Sequence, residues 1–189
     1  VLHGVALSGP NARSLLARFP LEDVSPNALL FRDLRETFVC GVPVTLLRLS
    51  FSGETGFEIY CAPQYLMRLW EGLEDAGADL GVRPYGARAL MSLRLEKGWG
   101  VWGMDFRPDY TAAMSGLDAF IDWDKDFVGK SAAVAERVAG PKDRLVTMVI
   151  DTDLDVVGDE AIMQDGLCIG HVTSGGYAHH AEASVAMGY

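Results

Sequence analysis

The chain has 189 residues, and 26 acidic against 16 basic side chains leave it a formal charge of −10. That length allows one large domain or two small ones, and 49% hydrophobic with 22% charged residues is the composition of a chain that buries a core, not of a disordered one. An acidic balance without a local basic stripe argues against a nucleic-acid or anionic-membrane surface.

From the N-terminus, the apolar residues Val1 to Leu7 predict a strand. Ser8-Gly9-Pro10 turns it, and Ala12, Leu15 and Leu16 recur at helical spacing. Leu21 to Glu36, broken by Ser25-Pro26-Asn27, has no clean period and reads as a connector. The β-branched and apolar runs 37–40 and 42–51, parted by Gly41, predict a hairpin. Ser52-Gly53-Glu54-Thr55-Gly56 turns the chain into a further strand, Phe57 to Cys61. Pro63 suits a first helical turn, and Leu66, Leu69, Trp70, Leu73 and Ala76 make one apolar stripe that ends at Gly77. A second helix is predicted from Tyr85 to Glu96, with Ala87, Leu90, Met91 and Arg94 facing inward.

Further along, Ala119 to Trp123 predicts a strand, Ala132 to Val138 a short helix, and Gly140-Pro141-Lys142 a linker. Short strands follow at Leu145–Ile150, Ala161–Met163, Leu167–Val172 and Ser184–Met187. The expected class is α+β, with a boundary near residue 138 dividing an α/β part, 1–138, from an all-β part, 139–189.

Several motifs fail their own context tests. Gly98, Gly100 and Gly103 satisfy G-x-G-x-x-G, but they follow a predicted helix and open none, so nucleotide binding is not expected there. Asp151, Asp153 and Asp155 resemble the start of a calcium loop, yet the sixth and twelfth positions hold Val156 and Ile162 where glycine and glutamate are needed. His171, His179 and His180 have no metal-ligand spacing, and no G-x-S-x-G elbow is present. No metal site is expected. Cys40, Cys61 and Cys168 are too far apart for a disulfide framework or a zinc knuckle. No apolar run reaches membrane-spanning length and no targeting signal is visible. The expectation is a soluble protein of a reducing compartment, the cytoplasm or, in a eukaryote, the mitochondrial matrix, and a piece of a longer chain.

Two features remain. If Phe57 and Ile59 face the core, Glu58 faces the other side of its sheet, as a solvated glutamate or as an acceptor for the N–H donors of a planar heterocycle. Arg94, on the inward face of its helix and eight residues before Trp102, needs a partner. Spacing alone favours an internal carboxylate, with a ligand's carboxylate as the alternative.

At these residues the chain resembles a known family. RLSFSGETGFEIY (48–60), RPYGARALMSLRLEKGWGVWGMDFRP (83–108), GLDAFIDWDKDFVGK (116–130) and the run from Asp159 to Tyr189 look like the tetrahydrofolate-binding aminomethyltransferases. That family includes the glycine cleavage T-protein and the folate regions of dimethylglycine and sarcosine dehydrogenases. The GWGVWGMDF stretch and the aromatic-rich strands resemble the flavin-linked dehydrogenases more than the stand-alone T-protein.

The resemblance implies a ferredoxin-like α/β folate-binding part followed by a partial antiparallel β-barrel. It implies a folate site in which Glu58 bonds the pterin, with Arg94 and Trp102 also contributing. Phe51 stands where the family often has tyrosine, so one hydrogen bond is missing while stacking remains. The family's catalytic aspartate would lie upstream of Val1, and FAD would be held only by an upstream domain of the parent. In that parent a secondary amine such as dimethylglycine or sarcosine is oxidised at the flavin, and tetrahydrofolate captures the one-carbon unit of the resulting iminium. The alternatives are a stand-alone aminomethyltransferase and a non-catalytic folate-binding module.

Overall fold

The computed structural model describes residues 1–20 and 22–189; Leu21, the first residue of the predicted connector, lies outside the described residues. The chain separates into two compact units, 1–91 and 92–189. The boundary expected near residue 138 falls inside the second of these, at the end of a helix.

Unit 1–91 is built on an antiparallel sheet of four strands, β1 (His3–Ser8), β2 (Leu34–Val39), β3 (Val42–Leu47) and β4 (Gly56–Cys61), in the spatial order β1-β4-β3-β2. Helix α1 (Ala12–Leu16) follows β1, and α2 (Leu66–Gly77) follows β4 after a 3₁₀ turn that begins at Pro63. Strand alternation decides which side of the sheet is covered. Val39, Val42, Val44, Leu46, Phe57, Ile59 and Cys61 are buried with Leu15 and Leu16 of α1 and Leu69 and Leu73 of α2 in one core. Glu58 and Tyr60 therefore lie on the opposite face, and both are half-buried.

β2 begins three residues earlier than the sequence predicted, because Leu34, Arg35 and Glu36 complete the ladder with Leu47, Leu46 and Thr45. The hairpin closes through Cys40 and Gly41, with φ of 55° and 71°, the paired positive values that a two-residue turn needs to match strand twist. Arg68 donates from Nε to the Cys40 carbonyl at 3.1 Å. Burial pushes its thiol up to about 11, opposed by Arg68, which leaves roughly a thousandth of it ionised at pH 8. Cys61 is fully buried and Cys168 is exposed. A thiol reagent at pH 8 is therefore expected to modify Cys168 first, as read by mass spectrometry of the intact protein; equal rates at Cys40 would show that the hairpin turn opens.

Helix α3 (Ala87–Glu96) contains the point at which the units part. Of its predicted inward stripe, Arg94 is buried with its neighbour Leu95, whereas Ala87 is exposed. In unit 92–189 a second antiparallel sheet has the order β5-β8-β7-β6, from β5 (Val146–Ile150), β6 (Ala161–Gln164), β7 (Leu167–Ala178) and β8 (Ala183–Gly188). It is an open sheet and does not close into a barrel among the described residues.

β7 runs well past the predicted end at Val172 and takes in Thr173-Ser174-Gly175-Gly176, paired with β8. The small residues permit close backbone approach: a Cβ on Gly175 would sit 2.4 Å from the carbonyl oxygen of Val156. The strand predicted over Ala119–Trp123 does not form. Asp118–Phe120 is a 3₁₀ turn whose backbone bonds, Phe120 to Leu117 and Ile121 to Asp118, are satisfied locally, so the segment has no need of a sheet partner. The predicted helix appears as α4 (Lys130–Ala139). No helix among the described residues is long and apolar enough to cross a membrane.

Candidate functional site

In unit 1–91 the turn that precedes β4 is fixed by its own polar groups. The Ser50 hydroxyl accepts from the Gly53 amide at 3.1 Å, and Ser52, itself buried, shares a hydrogen bond with Ser8 of β1. The Gly9 amide donates to the Thr55 carbonyl at 2.9 Å, and Arg48 donates from Nη1 to the Gly56 carbonyl at 2.9 Å. These bonds tie both ends of the turn to β1 and to the end of β3. Phe51, half-buried, lies in this turn, and Glu58 follows on β4.

Beneath the turn, on the core side, the Phe57 ring meets two guanidinium groups, with Arg13 and Arg48 each 5.3 Å from its centroid. Burial and the charge of Arg13 hold the Arg48 guanidinium below its usual range. On the open side, Ala6 and Leu47 flank Glu58 in the adjacent strands, and Gly4 and Thr45 flank Tyr60. Tyr60 donates its phenol hydrogen to Oε2 of Glu58. Oε1 of Glu58 accepts no hydrogen bond among the described residues. A carboxylate held at one oxygen on an open sheet face, with an aromatic ring beside it, is chemically suited to a flat ligand with N–H donors on its edge.

In unit 92–189 the buried centre is Arg94, which is 2% exposed. Its Nη1 pairs with Oδ2 of Asp105 at 2.9 Å and donates to the Trp99 carbonyl at 3.2 Å, while Nη2 donates to the Ser174 hydroxyl at 2.9 Å. Asp105 is 0% exposed. Its Oδ1 accepts from Thr173 and from Ser174, at 2.7 Å from the latter, and Oδ2 also accepts from the Val101 amide at 2.8 Å. The Tyr189 hydroxyl donates to the Asp105 carbonyl at 3.0 Å. Both charges are thus paired and further bonded, as buried ions must be. Burial lowers the pKa of Arg94 and the Asp105 charge opposes that shift.

This network pins the segment between α3 and Asp105 to β7 and to the last residues of the chain. Trp99 packs edge-on against Phe106 and Phe120, with centroids 5.8 and 5.9 Å away. Trp102 is 81% exposed and meets Phe106 edge-on at 5.9 Å. The G-x-G-x-x-G glycines lie in this segment, and no helix opens before α4, so the context for pyrophosphate binding is absent.

Phe51 and Glu58 thus share the first unit, and Arg94 and Trp102 share the second. Sequence reasoning missed Asp105, the internal carboxylate that spacing favoured for Arg94, and missed Thr173 and Ser174 as its hydroxyl donors. The one local signal was an aspartate eleven residues after the arginine, across a glycine-rich loop. Among the described residues no group of three or more His, Cys, Asp or Glu side chains is placed to hold a metal. His171 instead shares a hydrogen bond with the Tyr110 hydroxyl at 3.1 Å.

Comparison with known proteins gives this architecture a family. The model of the GCVT N-terminal domain matches residues 2–125, and that of the glycine cleavage T-protein C-terminal barrel domain matches residues 144–189. The chain belongs to the glycine cleavage T-protein family.

Among individual relatives, mitochondrial dimethylglycine dehydrogenase of Homo sapiens is 34% identical over 98% of this chain and 22% of its own length. The aminomethyltransferase of Caldanaerobacter subterraneus subsp. tengcongensis is 32% identical over 97% of this chain and 49% of its own length. The crystal structure of glycine cleavage system aminomethyltransferase T from Bartonella henselae superposes with a TM-score of 0.86 at 32% identity, covering 100% of this chain and 51% of that one. The chain therefore spans about a fifth of the dehydrogenase and about half of the aminomethyltransferases.

Proposed function

We propose that this chain is the tetrahydrofolate-binding, one-carbon-transfer region of an amine-oxidising flavoenzyme that acts on dimethylglycine or sarcosine. The observation that carries the reading is Glu58, presented on an open sheet face by a strand whose preceding turn is tied down through Ser50 and Ser52, with Tyr60 holding one carboxylate oxygen. Identity of 34–35% to mammalian dimethylglycine dehydrogenases supports the flavin-linked parent. The equally complete match to an aminomethyltransferase structure favours the second reading, a stand-alone aminomethyltransferase; the presence or absence of a flavin domain in the full-length protein separates the two.

The residues suit the ligand. Glu58 has an oxygen with acceptor capacity, and it lies between Ala6, a small residue, on one adjacent strand and the apolar Leu47 on the other. Bound tetrahydrofolate supplies the nitrogen nucleophiles that accept the one-carbon unit. Glu58 orients the pterin through its N–H edge and Phe51 offers an aromatic face without a hydroxyl; Trp102, an exposed aromatic of the second unit, is kept as a folate residue on the resemblance alone. Arg94, whose Nη atoms are committed within its unit, contributes by holding the loop that carries Trp102 and not by a contact of its own.

No catalytic residue is assigned among residues 1–189. FAD is assigned to a separate domain of the parent. By this reading residues 1–138 belong to the folate-binding domain and 139–189 to the C-terminal β-domain, in the cytoplasm or the mitochondrial matrix.

Calorimetric titration of the full-length protein with 5-formyltetrahydrofolate tests the assignment. Glu58→Gln is expected to weaken binding by roughly ten- to a hundredfold, since a hydrogen bond to a charged group is lost, while the unfolding midpoint stays where it was. Unchanged affinity would remove Glu58 from the site.

A further inference from the structure

Residues two apart on one strand face are roughly 7 Å apart along the chain, so the bond between Tyr60 and Glu58 requires the tyrosine ring to lean along β4. The place where it leans is a glycine. Gly4 of β1 is the register partner of Tyr60, and a Cβ built there would lie 2.8 Å from Cε1 and 3.0 Å from Cδ1 of the ring. The ring therefore rests on bare backbone, in a position that any other residue at 4 would take from it. From that seat its hydroxyl donates to Oε2 of Glu58 at 2.5 Å.

We propose that Tyr60 is a positioning residue for the ligand-binding carboxylate: seated on Gly4, it holds Oε2 of Glu58 and thereby presents Oε1 to an N–H donor of a planar heterocycle. The inference rests on the reading of Glu58 given above. A carboxylate on an open face otherwise rotates freely and gives up that freedom on binding, whereas one already held loses less when the ligand arrives. The neighbouring Glu58 carboxylate, through the hydrogen bond first and its charge as well, raises the pKa of Tyr60, so the phenol keeps its proton and remains a donor across the physiological range.

A double-mutant cycle in the full-length protein, titrated with 5-formyltetrahydrofolate, tests the proposal. Tyr60→Phe keeps the ring on its seat and removes only the donor. It is expected to raise Kd roughly five- to tenfold in the wild-type background and to change it by less than about twofold in the Glu58→Gln background, because Tyr60 acts only through Glu58. A loss of equal size in both backgrounds, or no loss in the wild type, overturns the proposal and leaves Glu58 as a ligand. If Glu58→Gln alone leaves Kd unchanged, the functional reading falls and the proposal with it. Gly4→Ala, which displaces the ring, is expected to reproduce the Tyr60→Phe loss in the wild type and to lose that effect once Tyr60 is phenylalanine.

Discussion

Replacing Asp105 by alanine is expected to destabilise unit 92–189 by about 3–5 kcal/mol, the cost of leaving one partner of a buried ion pair uncompensated. Arg94 would keep its charge with no carboxylate within reach, and the Thr173 hydroxyl and Val101 amide would each lose an acceptor. Urea unfolding followed by tryptophan fluorescence is a suitable measurement, since Trp99 and Trp102 stand in the affected segment. Asp105→Asn keeps the shape without the charge and is expected to fall between wild type and alanine. The double variant Arg94→Leu, Asp105→Leu is expected to be more stable than either single one, because it removes both charges together. Stability equal to wild type in Asp105→Ala would mean that the pair is hydrated and not buried as described.

Phe57→Ala is expected to have an effect of similar size in unit 1–91, about 3–5 kcal/mol for a fully buried aromatic. Phe57 is 1% exposed and packs among Ile59, Leu46 and the helix leucines. Two cations also face its ring, each worth roughly 0.5–1 kcal/mol in cation–π attraction, and they would be left near one another without it. Phe57→Leu separates the contributions, since it keeps most of the volume and discards the quadrupole. Chemical denaturation monitored by circular dichroism would show the alanine variant well below the leucine variant, with leucine still below wild type. Leucine at wild-type stability would confine the role of the ring to filling space.

The residues that make the first sheet are legible because their patterns are local. Alternation over 57–61 places Phe57 and Ile59 inside and Glu58 outside, Gly41 marks the hairpin, and Pro63 marks the entry to α2. The start of β2 was hidden because Leu34 and Glu36 gain their strand character from pairing with β3, not from any alternation of their own. In the second unit the short runs at β5 and β8 were readable, whereas the length of β7 was not. Its Thr-Ser-Gly-Gly stretch has poor strand propensity and is held there by β8 and by the contacts of Thr173 and Ser174 with Asp105.

The candidate site was unevenly visible for the same reason. Glu58 follows from a period of two, and the need of Arg94 for a partner follows from helical spacing. Which carboxylate meets it depends on how a glycine-rich loop folds back, and no local pattern carries that. Tyr60 was visible only as a flanking aromatic, because its seat on Gly4 joins residues far apart in the sequence.

The order of strands in that first sheet also has a bearing on time. The ladder β2-β3-β4 joins neighbours in sequence, but β1 reaches β4 by pairing His3 with Cys61 and Ser8 with Gly56. Contacts of that separation are slow to form, because a long stretch of chain must be ordered before they reward it. The meander is then expected to form early and β1 to add late, an order that φ-value analysis would check. Since β1 brings Gly4 to Tyr60 and Ser8 to Ser52, the face that presents Glu58 is expected to mature last, after the hydrophobic ladder behind it is in register.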